Sequence, residues 1–237
     1  MIYITGDTHG GYDIAKFKNK TFNKDDIVII CGDFGYVFAW NPKMFKQERA
    51  GLEKFLETVG CTVLFVDGNH ENFHRLENFP TITKFGGKVQ RLAKNCFHLL
   101  RGEHYEINGF KFLALGGAES HDKERRLLNY TLWNEETITE QEANKAIENL
   151  DKGVDYVITH SAPTYFQQKL FKQLNFPYNV YDENHSCQQL ERVLHKLVEK
   201  QDDNWKWFMG HYHVDVDFKP FYVLYNHFYC VEEGKWV

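Results

Sequence analysis

The chain lacks the CxxC pairs that mark zinc ribbons and redox sites, for its five cysteines, Cys31, Cys61, Cys96, Cys187 and Cys230, are odd in number and far apart. That spacing favours a reduced, cytoplasmic chain. No apolar run approaches the roughly 20 residues needed to cross a bilayer, and the opening MIYITGDTHG has no basic stretch ahead of an apolar one. A soluble, unprocessed protein with no membrane partner is expected. Positive charge is also short: 28 Lys and Arg against 33 Asp and Glu leave a formal charge of -5, which gives no field for gathering duplex nucleic acid. With no repeat, low-complexity tract or Pro/Gly/Ser linker, residues 1–237 are read as a single domain.

What the chain does have is core material, 43% apolar and 16% aromatic residues, arranged as short runs that each end in a polar cluster. Residues 2–5, 27–31, 63–66, 112–115, 156–159 and 207–209 are rich in β-branched or aromatic side chains and are expected to be buried strands. Helical spacing recurs at Phe45, Leu52, Phe55, Leu56 and Val59, and again at Leu190, Val193, Leu194, Leu197 and Val198 behind an expected Ser186/Gln189 capping box. Thr139 and Glu142 open a third helix in the same way, and Asn108-Gly109 reads as a tight hairpin turn. Strands alternating with helices, then hairpins, predict an α/β fold with mixed sheets.

The chemistry sits where these strands stop. Gly6-Asp7-Thr8-His9, Gly32-Asp33, Gly68-Asn69-His70-Glu71, Thr159-His160 and Gly210-His211-Tyr212-His213 follow five of the runs. The carboxyl edge of an open α/β sheet is where loops from neighbouring strands converge on ligands. Glycine before four of the clusters is expected to provide a sharp exit at positive φ, and extended backbone through residues 7–9 and 211–213 would put the outer side chains of each triplet on one side. Glycine and aspartate often end strands merely because they make turns. Five such clusters holding two carboxylates, one carboxamide and four imidazoles make independent turns a poor explanation.

The ordered series Asp-x-His, Gly-Asp, Gly-Asn-His-Glu, His, Gly-His-x-His resembles the calcineurin-like metallophosphoesterase superfamily over residues 5–213. The resemblance implies a four-layer α/β/β/α sandwich with two facing mixed β-sheets. It also implies two metal ions, one held by Asp7, His9, Asp33 and His213, the other by Asp33, Asn69, His160 and His211, with Asp33 as the bridge. Mixed imidazole and oxygen donors suit Mn, Fe, Zn, Ni or Co. The implied reaction is hydrolysis of a phosphate monoester or diester, by a metal-bridging hydroxide. His70 is the candidate general acid, a role worth typically 10² to 10⁴ in rate, and Glu71 completes the string as a loop-orienting residue.

Protein phosphatases of the superfamily extend the second motif to Asp-Arg-Gly and place an arginine before the third. Here the stretches read Gly32-Asp33-Phe34-Gly35 and Val66-Asp67-Gly68-Asn69, which counts against a Ser/Thr protein phosphatase. The loop Gly116 to Arg126, followed by Trp133, resembles one in a bacterial and phage branch. Its Lys123, Arg125 and Arg126 are the candidate replacement, because arginine's planar fork can take two phosphate oxygens. Glu119, Asp122 and Glu124 accompany them, so a solvated charged turn is the competing reading. The expected substrate is a phosphorylated small molecule or phosphoprotein. A metal-dependent nuclease is the alternative enzyme, and a non-enzymatic binding scaffold would be expected to have lost ligands that are present here.

Overall fold

The structure is a computed structural model that describes residues 1–176 and 184–237. One sheet has the strand order β14 (Lys235–Trp236), β13 (Phe228–Cys230), β1 (Ile2–Thr5), β2 (Ile27–Ile30), β3 (Thr62–Phe65), β6 (Cys96–Leu99), β5 (Gly87–Ala93), β4 (Thr81–Lys84). The other runs β11 (Val216–Phe218), β12 (Phe221–Val223), β10 (Lys206–Met209), β9 (Tyr156–Thr159), β8 (Phe110–Leu115), β7 (His104–Ile107). Helices α1 (Ala15–Lys18), α2 (Pro42–Val59) and α3 (Phe73–Leu76) accompany the first sheet, and α4 (Glu140–Asn149), α5 (Thr164–Leu174) and α6 (His185–Lys200) the second.

Side chains alternate across a strand, and here both faces of the central strands are apolar, so each strand feeds two cores. Ile2, Ile4, Ile27 and Ile29 meet Phe112, Tyr156, Ile158 and Phe208 between the sheets. Their neighbours Tyr3, Val28 and Ile30 face Phe17 of α1 and Leu52, Phe55 and Leu56 of α2. On the far side, Val157, Trp207 and Met209 pack on Ala143 and Ala146 of α4, Phe166 of α5 and Leu190 and Val193 of α6. Three apolar layers between helices, sheet, sheet and helices make this a mixed α/β sandwich, as expected.

The central strands β1, β2, β3 and β6 run parallel, as do β8, β9, β10 and β12. Their carboxyl ends therefore open on common edges, which is what brings distant motifs together. The hairpin turn lies where expected, with Asn108 and Gly109 both at positive φ between β7 and β8, as a two-residue type I′ loop requires. Thr139 and Glu142 form the expected capping box of α4. Helix α6 differs from expectation. Its N-cap is Asn184, whose Oδ1 accepts from the Cys187 N–H, while the Ser186 hydroxyl turns inward and accepts from the Ile138 N–H. The competing acceptor two residues upstream wins because Ser186 is fully buried and needed elsewhere.

Candidate metal centre

Loops leaving β1, β2 and β3 of one sheet and β9 and β10 of the other bring all seven proposed ligands together with His70. Among the described residues, three sets have donor atoms within 4.8 Å of one another: Asp7, His9 and His213; His9, Asp33 and His70; Asp33, His160 and His211. Asp33 belongs to two of them. Its Oδ2 lies 3.3 Å from both His9 Nε2 and His160 Nε2, while its Oδ1 accepts the His70 backbone N–H at 2.9 Å. Asn69 joins through Oδ1, 3.2 Å from His160 Nε2, and donates its amide to Ser120 Oγ at 3.1 Å.

The rings are turned so that one nitrogen of each is fixed. His160 Nδ1 donates to the Cys31 carbonyl at 2.7 Å, and His9 Nδ1 donates to Asp13 Oδ2 at 2.6 Å. In a neutral imidazole this leaves Nε2 with the lone pair, facing Asp33. Asp7 is fully buried; Oδ1 accepts the His211 N–H at 2.8 Å, but Oδ2 has no hydrogen-bond partner among the described residues. His213 Nε2 stands 3.0 Å from that oxygen without the geometry of a hydrogen bond. A buried orphan carboxylate oxygen beside imidazole nitrogens is the arrangement a cation completes, since an unpaired buried charge is costly.

The local potential agrees. Burial works to lower His160, yet Asp33 and Asp7 prevail and hold its pKa at about 10. His9 behaves alike: burial opposes its charge, and Asp33, Asp7 and Asp13 raise it to about 9. Burial also opposes the Asp33 carboxylate, but His160, His9 and His70 keep its carboxyl well below the usual range. A site that draws protons this strongly draws dications by the same field.

Two expectations about the backbone are revised. Among the four glycines, only Gly32 takes positive φ. Gly68 and Gly210 are required for close approach instead, because a Cβ would stand 2.2 Å from Asp33 Oδ1 and 2.0 Å from Asp7 Oδ1 respectively. The positive φ falls on proposed ligand residues themselves, with His9 at 40°, Asp33 at 44°, His211 at 69° and His213 at 52°. Residues 7–9 and 211–213 are thus not extended. Left-handed backbone at non-glycine positions stores strain of order 1–3 kcal/mol each, a pattern concentrated at functional sites.

His70 Nε2 lies 4.0 Å from Asp33 Oδ2 and 3.1 Å from the Arg126 guanidinium. Arg126 also donates to the Thr131 carbonyl and pairs with Asp122. Arg125 and Lys123 stay exposed, Lys123 pairing with Glu119. Glu71 is a clamp: Oε1 accepts from Phe34 N–H at 2.7 Å and Oε2 from Gly68 N–H at 2.6 Å, tying the second motif to the third. Phe34, where protein phosphatases have arginine, is fully buried and stacked on Phe65. Cys31 is buried in the inter-sheet core.

Sequence reasoning misses several partners. Asp13, four residues after His9, is legible as an i+4 pair. Lys16 is not: its buried ammonium donates to the carbonyls of Gly6, Asp7 and Tyr225 at 3.0, 2.6 and 2.6 Å. His121 reaches His211, Nε2 to Nε2, at 3.1 Å. Behind the third motif, Asp67 accepts from Arg101 and His98, and Arg101 continues to the Thr137 carbonyl and Glu142.

Comparison with family models finds a match to the family described as calcineurin-like phosphoesterase, over residues 1–229. Comparison with curated proteins finds no match.

The Asp67–Arg101 pair yields a stability prediction. Burial pushes Asp67 up, but Arg101 and His98 outweigh it and hold the carboxyl below the usual carboxylate range. A depressed folded-state pKa gives stability that is complete above the unfolded value of about 4 and is lost as pH falls below it. Arg101→Met should therefore cost about 3–5 kcal/mol at neutral pH by leaving a buried charge short of its partner. In urea unfolding, the gap to wild type should narrow as the pH is taken down through about 4. A gap independent of pH would show that the loss is one of packing.

Proposed function

The chain belongs to the calcineurin-like phosphoesterase family and is a metal-dependent phosphoric ester hydrolase; from that premise we propose a dinuclear enzyme acting on a phosphate monoester or diester. The observation that carries this reading is the sharing of Asp33 Oδ2 between His9 and His160, each 3.3 Å away. Asp7, His9, Asp33 and His213 would hold one ion, and Asp33, Asn69, His160 and His211 the other. Bound there, two dications would supply Lewis-acid charge and an acidified water for in-line attack on phosphorus. Because the two sheets contribute ligands jointly, we also propose that residues 1–237 work as one domain.

The protein's own groups then divide the remaining work. Asp13 and the Cys31 carbonyl fix the tautomers of His9 and His160. Asn69 contributes a neutral oxygen, which leaves positive charge for the substrate. His70 is proposed to hold the proton for the departing oxygen. A second reading has specific support, because Arg126 faces the same Nε2, and burial together with Arg126 lowers the His70 pKa. A neutral His70, with its proton shifted to Nε2, would act with Arg126 as a phosphate ligand. An oxygen entering between them would replace their mutual contact by one to each. Fully buried Phe34 argues against a Ser/Thr protein phosphatase clamp at that position, and the charge of -5 against a nuclease that tracks duplex.

Metal-free protein supplied with Mn, Zn, Ni or Co should bind two equivalents by calorimetric titration and hydrolyse a simple phosphoester only when loaded. Asp33→Asn should weaken both binding events, since one carboxylate serves both ions. Two undiminished equivalents with full activity in that variant would remove the bridge.

His70→Asn should lower turnover with metal content unchanged, and the loss should be larger for an alkyl ester than for a nitrophenyl ester, whose leaving group hardly needs a proton. Equal losses select the phosphate-binding reading.

Arg126→Ala should lower kcat/KM by about 1.5–3 kcal/mol, as for a hydrogen bond to a charged group, whereas Arg125→Ala, at an exposed position, should do much less. Wild-type kcat/KM in both variants would show that the metals hold the phosphate alone.

A further inference from the structure

Beside the proposed centre lies an open cavity of about 540 Å³, within the range of about 300–1,000 Å³ usual for small-ligand clefts. Its lining is dominated by rings: His9, His70 and His213 from the centre, with Tyr12, Phe38 and Tyr225 beyond them. Five of these six rings, all but Tyr12, form an unbroken series. Centroids are 6.2 Å apart for Phe38 and His70, 5.7 Å for His70 and His9, 5.0 Å for His9 and His213, and 4.8 Å for His213 and Tyr225. Tyr12 stands at the lip with 92% of its surface exposed, and Phe38 with 37%. Neither belongs to the three apolar cores.

The polar content of the cleft narrows what it takes. Among the described residues, its one carboxylate outside the proposed ligands, Asp13, already accepts from His9 and from the Tyr225 hydroxyl at 2.9 Å. No described Lys or Arg lines it, so it lacks the basic groove that follows a polynucleotide backbone. Aromatic walls without a basic track suit a single flat ring, because every nucleobase presents a π-face for stacking. We propose that the substrate is a nucleoside-sized phosphoester, its phosphate at the centre and its ring against Phe38 and Tyr12. This inference rests on the phosphoesterase reading and names the alcohol that the ester carries.

The test uses the metal-loaded full chain and two primary alkyl esters that differ by the base, adenosine 5′-monophosphate and ribose 5-phosphate. Affinities come from calorimetry, and kcat/KM from phosphate release where turnover occurs. The nucleotide should be preferred by roughly 5- to 150-fold, the equivalent of one base–aromatic stack. The double substitution Tyr12→Ala with Phe38→Ala should bring that ratio towards one. Equal treatment of the two esters by wild type overturns the proposal, as does a ratio that survives the double substitution. An equal gain for octyl phosphate overturns it too, by showing a response to apolar mass in place of a ring. Metal-dependent hydrolysis of p-nitrophenyl phosphate or its diester without any nucleotide preference sinks this inference alone. A nucleotide preference with no hydrolysis of any ester under any metal sinks the phosphoesterase reading and leaves the ring site standing.

Discussion

Two carboxylates at the ends of adjacent parallel strands set the terms for the rest of this structure. Asp7 and Asp33 are almost wholly removed from water, and like charges held so deep are tolerated only among partners. The chain surrounds them with histidines and with backbone N–H groups from His211 and His70. Both sheets must supply those partners, which is why strands far apart in sequence end at one place. The clamp of Glu71 on residues 34 and 68 and the buried ammonium of Lys16 beneath residues 6 and 7 hold the strand ends in that arrangement.

Much of this architecture is legible in the amino-acid sequence alone. The six apolar runs match strands within a residue or two, because short apolar segments of three to five residues, bounded by polar turns, have few other ways to be buried. The convergence of the candidate ligands is legible for a similar reason: donor chemistry is carried by side-chain identity, and the turns after strands are short enough to fix their location. Helix α4 is readable from its cap at Thr139. Helix α6 is readable in its apolar face but not in its start, since choosing between Asn184 and Ser186 depends on Ile138, a residue 48 positions away.

The parts that stay hidden are long-range polar contacts. Nothing in the spacing of Lys16 announces three carbonyl acceptors, one of them at residue 225. Arg101 and Asp67 meet because β6 pairs with β3, and their partnership depends on topology. The loop from Gly116 to Arg126 is expected to reach the cleft, and Ser120, His121 and Arg126 do so by touching Asn69, His211 and His70. Which of its basic residues turns inward is not readable from the run of charges; in the structure it is Arg126, which pairs with Asp122 and reaches His70.

The glycines of the motifs have a further consequence for anyone wishing to transplant this centre into another scaffold. At Gly68 and Gly210 the carboxylates of Asp33 and Asp7 occupy the volume that any side chain would claim. The two residues act as keyholes for oxygens supplied by other strands. A graft that copied only the seven proposed donor residues would meet a methyl group where each carboxylate has to lie. Glycines that coordinate nothing therefore belong to the minimal portable unit, and a designer would have to choose host backbones by the empty space at those two positions before choosing them by the placement of histidines.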